Sequence, residues 1–176
     1  MSFDQIVFGA IHDLAGRYGV LDFAGIFLAR YLPYFLSVAF FIILFLERRW
    51  KRRFRIFALA ALSIILARGL FIELIRLAYF RPRPDLALAF DALIPTPASS
   101  SFPSGHAAVF FALGVALWFL NRRAGIVFAS GAALVAVARV FVGVHWPSDV
   151  FAGALLGAVS AYIINRILTK KEVAGV

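Results

Sequence analysis

Cysteine is absent from the 176-residue sequence, and acidic residues are scarce in it. Without cysteine the chain can form neither a disulfide nor a thiolate metal site, so its composition does not indicate a redox compartment. Nine Asp and Glu residues stand against 18 Lys and Arg residues, which gives a formal net charge of +9. Residues 1–5 also lack the basic start that is typical of a secretory signal, so we expect insertion through a transmembrane helix of the mature chain.

Hydrophobic residues make up 63% of the sequence, and its mean hydropathy is +0.92. An ordinary soluble domain contains roughly 45–50% apolar residues, so this composition predicts an integral membrane protein. Apolar windows of about 20 residues, long enough to cross a bilayer, recur along the chain. We therefore predict a single membrane-embedded domain over residues 1–176. In such a protein a basic excess indicates cytoplasmic loops rather than a nucleic-acid partner.

Five apolar stretches predict an all-α bundle of five transmembrane helices. An amphipathic segment over residues 3–15 precedes them and is predicted to lie in the membrane interface. The basic segments 47–55 and 121–124 belong on the cytoplasmic side by the positive-inside rule. Counting spans from these segments puts the loops 81–103 and 143–148 on the outer face. The predicted spans are residues 23–46, 54–79, 104–120, 125–142 and 148–168.

Residues 102–106, Phe-Pro-Ser-Gly-His, interrupt the apolar sequence at the start of the third span. Proline, a small hydroxyl residue and glycine before an apolar run predict a helix N-terminus, where free backbone N–H groups and the helix dipole favour an anion. Ser104 and Gly105 are therefore candidate anion-binding residues. His106 lies in the first turn of this helix. A proton donor beside an anion site suggests phosphoryl chemistry.

Three arginines lie at or near the predicted outer face: Arg76 near the end of the second span, Arg83 in the next loop and Arg139 near the end of the fourth span. Intramembrane arginines are energetically costly, and they tend to mark functional sites or headgroup anchors. His145 follows Arg139 by six residues, and Asp149 follows His145 by four. Gathered with the helix N-terminus, these groups would form a pocket for a tetrahedral oxyanion, because arginine is an always-charged, bidentate donor.

Other polar residues have simpler interpretations. Arg68, deep in the second span, is expected to form an internal ion pair with Glu73. His12 is interpreted as a solvated residue of the interfacial segment. Gly153 and Gly157 form a small-xxx-small pattern that lets helices approach closely. A single arginine at the end of a span is usually a headgroup anchor, and we assign that role to Arg30, Arg81, Arg122, Arg123 and Arg166.

Three motifs, in this order and at these spacings, resemble the signature of the type-2 phosphatidic acid phosphatase superfamily, which also contains vanadium-dependent haloperoxidases. That signature has a Lys seven residues before Arg-Pro, then Pro-Ser-Gly-His, then Ser-Arg with a His six residues after the Arg and an Asp four residues further on. Here an Arg replaces the Lys and an Ala replaces the Ser. The matching residues are Arg76, Arg83-Pro84, Pro103-Ser104-Gly105-His106, Ala138-Arg139, His145 and Asp149.

The resemblance implies a phosphatase that works through a phosphohistidine. Neutral His145 would attack phosphorus through one ring nitrogen, while Asp149 accepts a hydrogen bond from the other. His106 would protonate the leaving group and then deprotonate the hydrolytic water. No metal or other cofactor is expected, because arginines neutralise the phosphate. The groups expected to bind the phosphate oxygens are Arg76, Arg83, Arg139, the Ser104 hydroxyl and the Gly105 N–H.

Within this superfamily the small size of the chain and its N-terminal helix look most like the bacterial undecaprenyl-diphosphatases, which release phosphate from the polyprenyl carrier of cell-wall synthesis. The resemblance then implies a multi-pass protein of the bacterial cytoplasmic membrane with an extracytoplasmic active site and a lipid phosphate substrate. The alternative is a broader lipid phosphatase acting on phosphatidylglycerophosphate, phosphatidate or lipid A phosphate. Five spans disfavour a soluble haloperoxidase, and a non-enzymatic lipid carrier or transporter would not need the spaced His145 and Asp149.

Overall fold

Seven helices follow one another through residues 2–173, the part of the chain that the computed structural model describes. Residue 1 and residues 174–176, which the predicted domain includes, lie outside the described residues. No β-strand occurs in the described range, so the all-α prediction is confirmed. The helices are α1 (Phe3–His12), α2 (Gly19–Leu46), α3 (Trp50–Ala78), α4 (Pro84–Leu88), α5 (Gly105–Leu120), α6 (Arg122–Phe141) and α7 (Pro147–Val173).

Four of these helices, α2, α3, α6 and α7, are long and apolar enough to cross a membrane. The remaining predicted span, α5, is also apolar but has only 16 residues. At ~1.5 Å per residue it extends about 24 Å, which is less than the roughly 30 Å hydrocarbon core of a bilayer. The predicted bundle of five apolar helices is therefore confirmed, with one helix shorter than a full span. Because a tight turn at Asn121 joins α5 to the longer α6, α6 extends past the start of α5 by roughly one helical turn.

Helix α5 lies at the centre of the bundle, packed against α3, α6 and α7. Many of its buried residues are alanine or glycine, which lets neighbouring backbones approach closely. Two glycines of α7 face it. A Cβ at Gly153 would lie 2.3 Å from the carbonyl oxygen of Ser104, and a Cβ at Gly157 would lie 2.1 Å from that of Ala108. The predicted packing role of this glycine pair is confirmed.

Many large apolar side chains of the long helices point away from the bundle. Val20, Leu77 and Val127 are 82%, 85% and 74% exposed, respectively. Monomeric soluble proteins rarely show such a continuous apolar surface, whereas transmembrane helices present one to lipid. The largest interior cluster is shared by α2, α3, α5 and α6, and its large members are Phe40, Leu44, Ile56, Leu59, Phe110, Leu113, Leu117 and Phe128.

Two of the long helices contain a π-helical segment. Phe27–Tyr31 interrupts α2, and Ile65–Phe71 interrupts α3. A π-helical turn holds more residues than an α-helical turn, so it changes the direction of the side chains around it, and such segments are frequent at functional sites. Each segment contains one arginine, Arg30 in α2 and Arg68 in α3.

Helix α1 packs against α6 and α7. Phe8 is 3% exposed and contacts Val140 and Trp146. Asp4 accepts hydrogen bonds from the backbone N–H and the hydroxyl of Ser148, at 2.9 and 2.6 Å. The amphipathic N-terminal helix is therefore attached to the bundle through both its apolar and its polar side chains.

His12 of α1 is in contact with the protein, so its interpretation as a solvated residue is wrong. Its Nδ1 lies 2.7 Å from the carbonyl oxygen of Phe141, and its ring stacks on Phe8 with centroids 4.8 Å apart. The ring of Phe90 lies on it as well, at 4.5 Å. The periodicity of α1 identifies an apolar face, but it does not show that the rest of the protein covers the neighbouring polar position.

Candidate active site

A cavity of about 530 Å³ opens where α3 and α6 end and α5 and α7 begin, which we call the His145 end of the bundle. Room for it arises because α5 begins short of the end of α6. The wall is strongly basic, and none of the described Asp or Glu residues lines it. Its arginines and histidines are Arg30, Arg68, Arg76, Arg83, His106, Arg139 and His145.

Six of the eight predicted site residues line this one cavity. They come from α3, the loop 79–104, α5, α6 and the turn between α6 and α7. The other two, Ser104 and Asp149, are fully buried behind the wall. The six residues in the wall are Arg76, Arg83, Gly105, His106, Arg139 and His145.

Arg83 has the most hydrogen bonds of the cavity arginines. It is 3% exposed, and its Nε lies 3.2 Å from the carbonyl oxygens of both Pro97 and Ser99. Its Nη1 donates to the carbonyl of Val144 at 2.8 Å. These bonds connect the loop before α5 to the turn before α7, so Arg83 holds together the two segments that close the cavity.

Arg76 and Arg139 have donors to offer to a ligand. Arg76 donates from Nη2 to the carbonyl of Pro103 at 3.0 Å, but its Nε has no hydrogen-bond partner among the described residues. Arg139 is 8% exposed, and its side chain makes no hydrogen bond or ion pair with another residue of the described range. Buried charged groups are costly unless they are paired. An anion in the cavity would supply that pairing.

His145 is buried between an acidic and a basic neighbour. Its Nδ1 lies 3.5 Å from Oδ2 of Asp149, and its Nε2 lies 3.5 Å from Nη1 of Arg83. Burial lowers the pKa of His145 from 6.5 to about 4; the Asp149 carboxylate opposes this shift, while the charges of Arg139 and Arg83 add to it. The imidazole is therefore neutral at pH 7, and a neutral ring has the lone pair that nucleophilic attack requires.

Asp149, expected to accept a hydrogen bond from His145, is held mainly by other donors. Its Oδ2 accepts from the Ser101 hydroxyl at 2.5 Å and the Trp146 N–H at 2.8 Å, and its Oδ1 accepts from Arg81 Nη1 at 2.7 Å. The 3.5 Å separation from His145 Nδ1 is longer than a normal hydrogen bond, and Nδ1 has no partner in the described range. The adjacent carboxylate still favours the tautomer with its proton on Nδ1, and catalytic hydrogen bonds are often long before substrate binds.

Arg81 belongs to this network, so its interpretation as a headgroup anchor is wrong. Its side chain is 21% exposed and forms ion pairs with Asp149 on one side and Asp4 of α1 on the other. It also donates to the Ser148 hydroxyl at 2.7 Å. Arg81 thus connects the N-terminal helix to the carboxylate that lies behind the candidate nucleophile.

The start of α5 brings His106 and Gly105 into the cavity wall. A Cβ at Gly105 would lie 2.7 Å from Nε of Arg68, so glycine allows the Arg68 side chain to approach the first turn of α5. The Ser104 hydroxyl, expected to bind phosphate, is fully buried and has no hydrogen-bond partner among the described residues. Its backbone N–H donates to the carbonyl of Asp149 at 2.9 Å, which fixes the start of α5 to the start of α7.

Arg30 and Arg68 line the cavity, which the sequence interpretation missed. The predicted ion pair between Arg68 and Glu73 is confirmed, but the Arg68 side chain also forms part of the wall. Arg30, interpreted as a headgroup anchor, lies in the wall instead. The available signal was its depth, since Arg30 stands seven residues inside the predicted span 23–46, or about 10 Å along the helix.

Ala138 stands where the family signature has a serine, and it packs into an apolar cluster. It is 4% exposed and lies with Ala29, Val142 and Val144. Because this position has a methyl group in place of a hydroxyl, it offers no hydrogen bond to a ligand. The side-chain donors that line the cavity are therefore mainly guanidinium groups.

The chain is similar to known proteins in both sequence and fold. The profile of the PAP2 superfamily matches residues 57–172. The chain is 32% identical over 170 residues to the bacitracin transport permease protein BcrC of Bacillus licheniformis, covering 93% of this chain and 81% of that protein. It is 31% identical over 161 residues to the undecaprenyl-diphosphatase BcrC of Bacillus subtilis, covering 91% and 81%. Its fold is similar to the crystal structure of Aquifex aeolicus LpxE, with a TM-score of 0.74, 25% identity and coverage of 94% and 96%.

Proposed function

Because the chain belongs to the PAP2 superfamily, we propose that it removes the terminal phosphate of undecaprenyl diphosphate through a phosphohistidine at His145. Family membership together with the Bacillus subtilis relative makes the chain a phosphoric ester hydrolase. Its apolar helices and its bacterial relatives make it a multi-pass protein of the inner membrane. The substrate is supported by the Bacillus subtilis relative, which is named for this activity and matches 91% of the chain. The observation that carries the proposal is that His106, His145, Arg76, Arg83 and Arg139 line one cavity.

In the first step Nε2 of His145 attacks the terminal phosphorus, and the bond from that phosphorus to the bridging oxygen breaks. The phosphoryl group is transferred to His145, and the lipid phosphate leaves with a proton from His106. The Nδ1 proton of His145 faces Asp149, whose carboxylate stabilises the positive charge that the ring gains. Guanidinium groups stabilise the charge on the phosphoryl oxygens, which is the main catalytic task in phosphoryl transfer.

In the second step water attacks the phosphohistidine. His106, now neutral, takes a proton from the water, and the bond between phosphorus and nitrogen breaks. Inorganic phosphate leaves, neutral His145 is restored and His106 is again protonated. One lipid diphosphate and one water have then given one lipid monophosphate and one inorganic phosphate.

The proposal puts this reaction on the extracytoplasmic face of the membrane. The turn between α2 and α3 and the turn between α5 and α6 lie at the end of the bundle opposite the His145 end. The basic segments 47–55 and 121–124 lie at those turns and in the first residues of the helices that follow. Positively charged turns remain in the cytoplasm, which supports an outward-facing cavity.

A broader lipid phosphate phosphatase is the second candidate. Phosphatidate and phosphatidylglycerophosphate also present a terminal phosphate, and the arginines of the wall contact that group rather than the lipid tail. The apolar part of the wall, which includes Pro33, Val109 and Phe110, has no feature specific to one tail. A transport activity, which the name of the Bacillus licheniformis relative gives to that protein, would not require the paired His145 and Asp149.

Phosphate release by the purified protein in detergent tests these candidates. We expect undecaprenyl diphosphate to have a higher kcat/KM than phosphatidate or phosphatidylglycerophosphate. We also expect His145→Ala and His106→Ala each to lower kcat at least about a hundredfold, the usual contribution of an acid–base or nucleophilic group. With radiolabelled substrate, His106→Ala should retain an acid-labile phosphoryl group that His145→Ala cannot form.

His12→Gln is the matched control, because His12 is the remaining one of the three histidines and lies outside the cavity. It should retain most of the activity. Near-normal turnover by a folded His145→Ala variant would overturn the mechanism. A higher kcat/KM for phosphatidate than for the diphosphate would replace the proposed substrate with the second candidate.

A further inference from the structure

Two arginines of the cavity wall, Arg30 and Arg68, remain without a task in the reaction at the terminal phosphate. They lie on different helices, α2 and α3, and both belong to π-helical segments. Neither is part of the three motifs in the sequence. Both nevertheless line the same cavity as His106 and His145.

The backbones of these two arginines lie further from the ends of their helices than that of Arg76. Both still meet the region of the reacting histidines, because Ala29, next to Arg30, packs with Ala138 and Val144, and the Arg68 side chain reaches Gly105. Arg30 stands eleven residues after Gly19, where α2 begins, and Arg68 stands ten residues before Ala78, where α3 ends. Both positions are about 15 Å along their helices from those helix ends. By contrast, Arg76 is two residues from the end of its helix. Arg30 and Arg68 therefore form a second pair of positive charges in the wall, beside the arginines of the three motifs.

This second pair of arginines has capacity for an additional anion. Arg30 makes no hydrogen bond or ion pair with any residue in the described part of the chain, and its guanidinium carbon lies 5.8 Å from the centre of the Tyr31 ring. Arg68 is paired with Glu73, but Glu73 does not line the cavity. Arginine is suited to phosphate because its planar donors match two phosphate oxygens.

Arg68 is also adjacent to the candidate proton donor. Its side chain packs over Gly105, the residue next to His106 on the first turn of α5. His106 is the group proposed to protonate the leaving oxygen, so the leaving group extends toward Arg68. In a lipid diphosphate that leaving group is itself a phosphate, whereas in a lipid monophosphate it is an uncharged alcohol.

We infer that Arg30 and Arg68 form a subsite for the inner phosphate of a lipid diphosphate, the phosphate that stays on the lipid after hydrolysis. When the bond between the terminal phosphorus and the bridging oxygen breaks, negative charge develops on the inner phosphate. The two guanidinium groups stabilise that charge. A lipid monophosphate has no second phosphate and gains nothing from the subsite. This inference rests on the proposed phosphatase activity. It adds a physical reason for the protein to prefer a lipid diphosphate to a lipid monophosphate as substrate.

The apolar wall supports this orientation of the substrate. Pro33 and Tyr34 follow Arg30 by about one turn of α2, and Val109 and Phe110 follow His106 by about one turn of α5, and all four line the cavity. Tyr34 is 69% exposed on the outer surface of the bundle. A lipid whose inner phosphate binds Arg30 would therefore have its first apolar carbons beside these side chains, on the way to the surrounding bilayer.

The test compares two substrates with the same polyprenyl tail, a diphosphate and a monophosphate. The variants are Arg30→Gln and the double variant Arg68→Gln/Glu73→Gln, in which no unpaired carboxylate is left. We expect each to lower kcat/KM for the diphosphate at least about tenfold, the effect of losing one charge-assisted hydrogen bond. The kcat/KM for the monophosphate should change much less. Arg30→Lys should restore part of the loss, because it retains the charge.

Inhibition by inorganic anions gives a second measurement. Pyrophosphate should inhibit the wild-type protein more strongly than orthophosphate does, and this difference should disappear in Arg30→Gln. Arg166→Gln is the matched control, because Arg166 is an exposed arginine of α7 outside the cavity. It should behave as the wild type in both assays.

The experiments distinguish failure of the proposed subsite from failure of the proposed phosphatase activity. If the variants lower kcat/KM for both substrates equally, or for neither, the subsite is overturned while the phosphatase activity stands. If the wild-type protein releases no phosphate from either substrate, or if His145→Ala releases it normally, the proposed function itself fails.

Discussion

Arg81 donates a hydrogen bond from Nη1 to Oδ1 of Asp149 over 2.7 Å, although the two residues are 68 positions apart in the sequence. The Asp149 side chain is fully buried, so its charge depends on such partners. On its other side the same guanidinium pairs with Asp4 of α1. The N-terminal helix therefore contributes, through one arginine, to the position of the carboxylate beside the candidate nucleophile.

Removal of this arginine should lower catalysis without removing substrate binding. We predict that Arg81→Gln lowers kcat for lipid diphosphate about tenfold, as expected for one lost charge-assisted hydrogen bond, and changes KM much less. The reason is that Asp149 would lose the donor to its Oδ1 and keep those from Ser101 and Trp146 to its Oδ2. Its position beside His145 would then be less fixed, whereas the guanidinium groups of the cavity would be unaltered. Steady-state kinetics in detergent measure both constants.

Arg81→Lys should recover part of the lost kcat, since it retains the charge. Arg123→Gln, at the opposite end of the bundle, is the control and should leave both constants unchanged. A rise in KM with an unchanged kcat would instead assign Arg81 to substrate binding.

The ionisation of His145 provides the second prediction. Because burial lowers the pKa of His145 to about 4, its ring should stay neutral from pH 7 down to about pH 5. The unfolded chain takes up this proton near pH 6.5, so the free energy of unfolding should fall as the pH is lowered from 6.5 toward 4. Nitrogen NMR of protein with labelled histidines measures the titration directly. Three variants, each lacking one of the three histidines, assign the signals. A His145 signal that titrates near 6.5 would contradict the prediction.

Local spacing explains why part of the candidate site could be predicted from the sequence. His145 and Asp149 are four residues apart at the start of a helix, and Gly105 and His106 are adjacent at the start of another. Within one turn the chain geometry limits where such side chains can lie. The proximity of the residues in each pair is therefore a local property, and it can be predicted from a single sequence motif.

Long-range packing explains what could not be predicted. Nothing in the residues around Arg81 shows that Asp4 and Asp149 will meet it, because those contacts depend on how α1 and the loop 79–104 fold over α7. Arg30 and Arg68 lie in π-helical segments, where the regular 3.6-residue periodicity does not give the direction of a side chain. An arginine that looks like an anchor by sequence can therefore lie in a cavity wall.

Contact between α5 and α7 leads to the third prediction, which concerns stability. Gly157→Ala should lower the free energy of unfolding by roughly 1–3 kcal/mol, the usual effect of overpacking. The added Cβ would lie 2.1 Å from the carbonyl oxygen of Ala108, and a backbone atom cannot rotate away as a side chain can. Gly19→Ala is the control, since no atom lies within 4 Å of its added Cβ. Thermal unfolding in detergent, followed by circular dichroism, should show a lower midpoint for Gly157→Ala but not for Gly19→Ala. Equal midpoints would show that α5 and α7 can move apart to accept the added methyl group without loss of stability.

Chelation of metal ions is the fourth prediction. Phosphate release should be unchanged in EDTA and should not increase when Mg²⁺ or Zn²⁺ is added. The reason is that five arginines line the cavity and no carboxylate in the described range does, so the wall offers charge neutralisation for an anion but no anionic oxygen ligands for a divalent cation. The assay compares initial rates of phosphate release with and without chelator at a fixed concentration of lipid diphosphate. Loss of activity in EDTA that one of these ions restores would show that a metal, rather than the guanidinium groups alone, neutralises the phosphate.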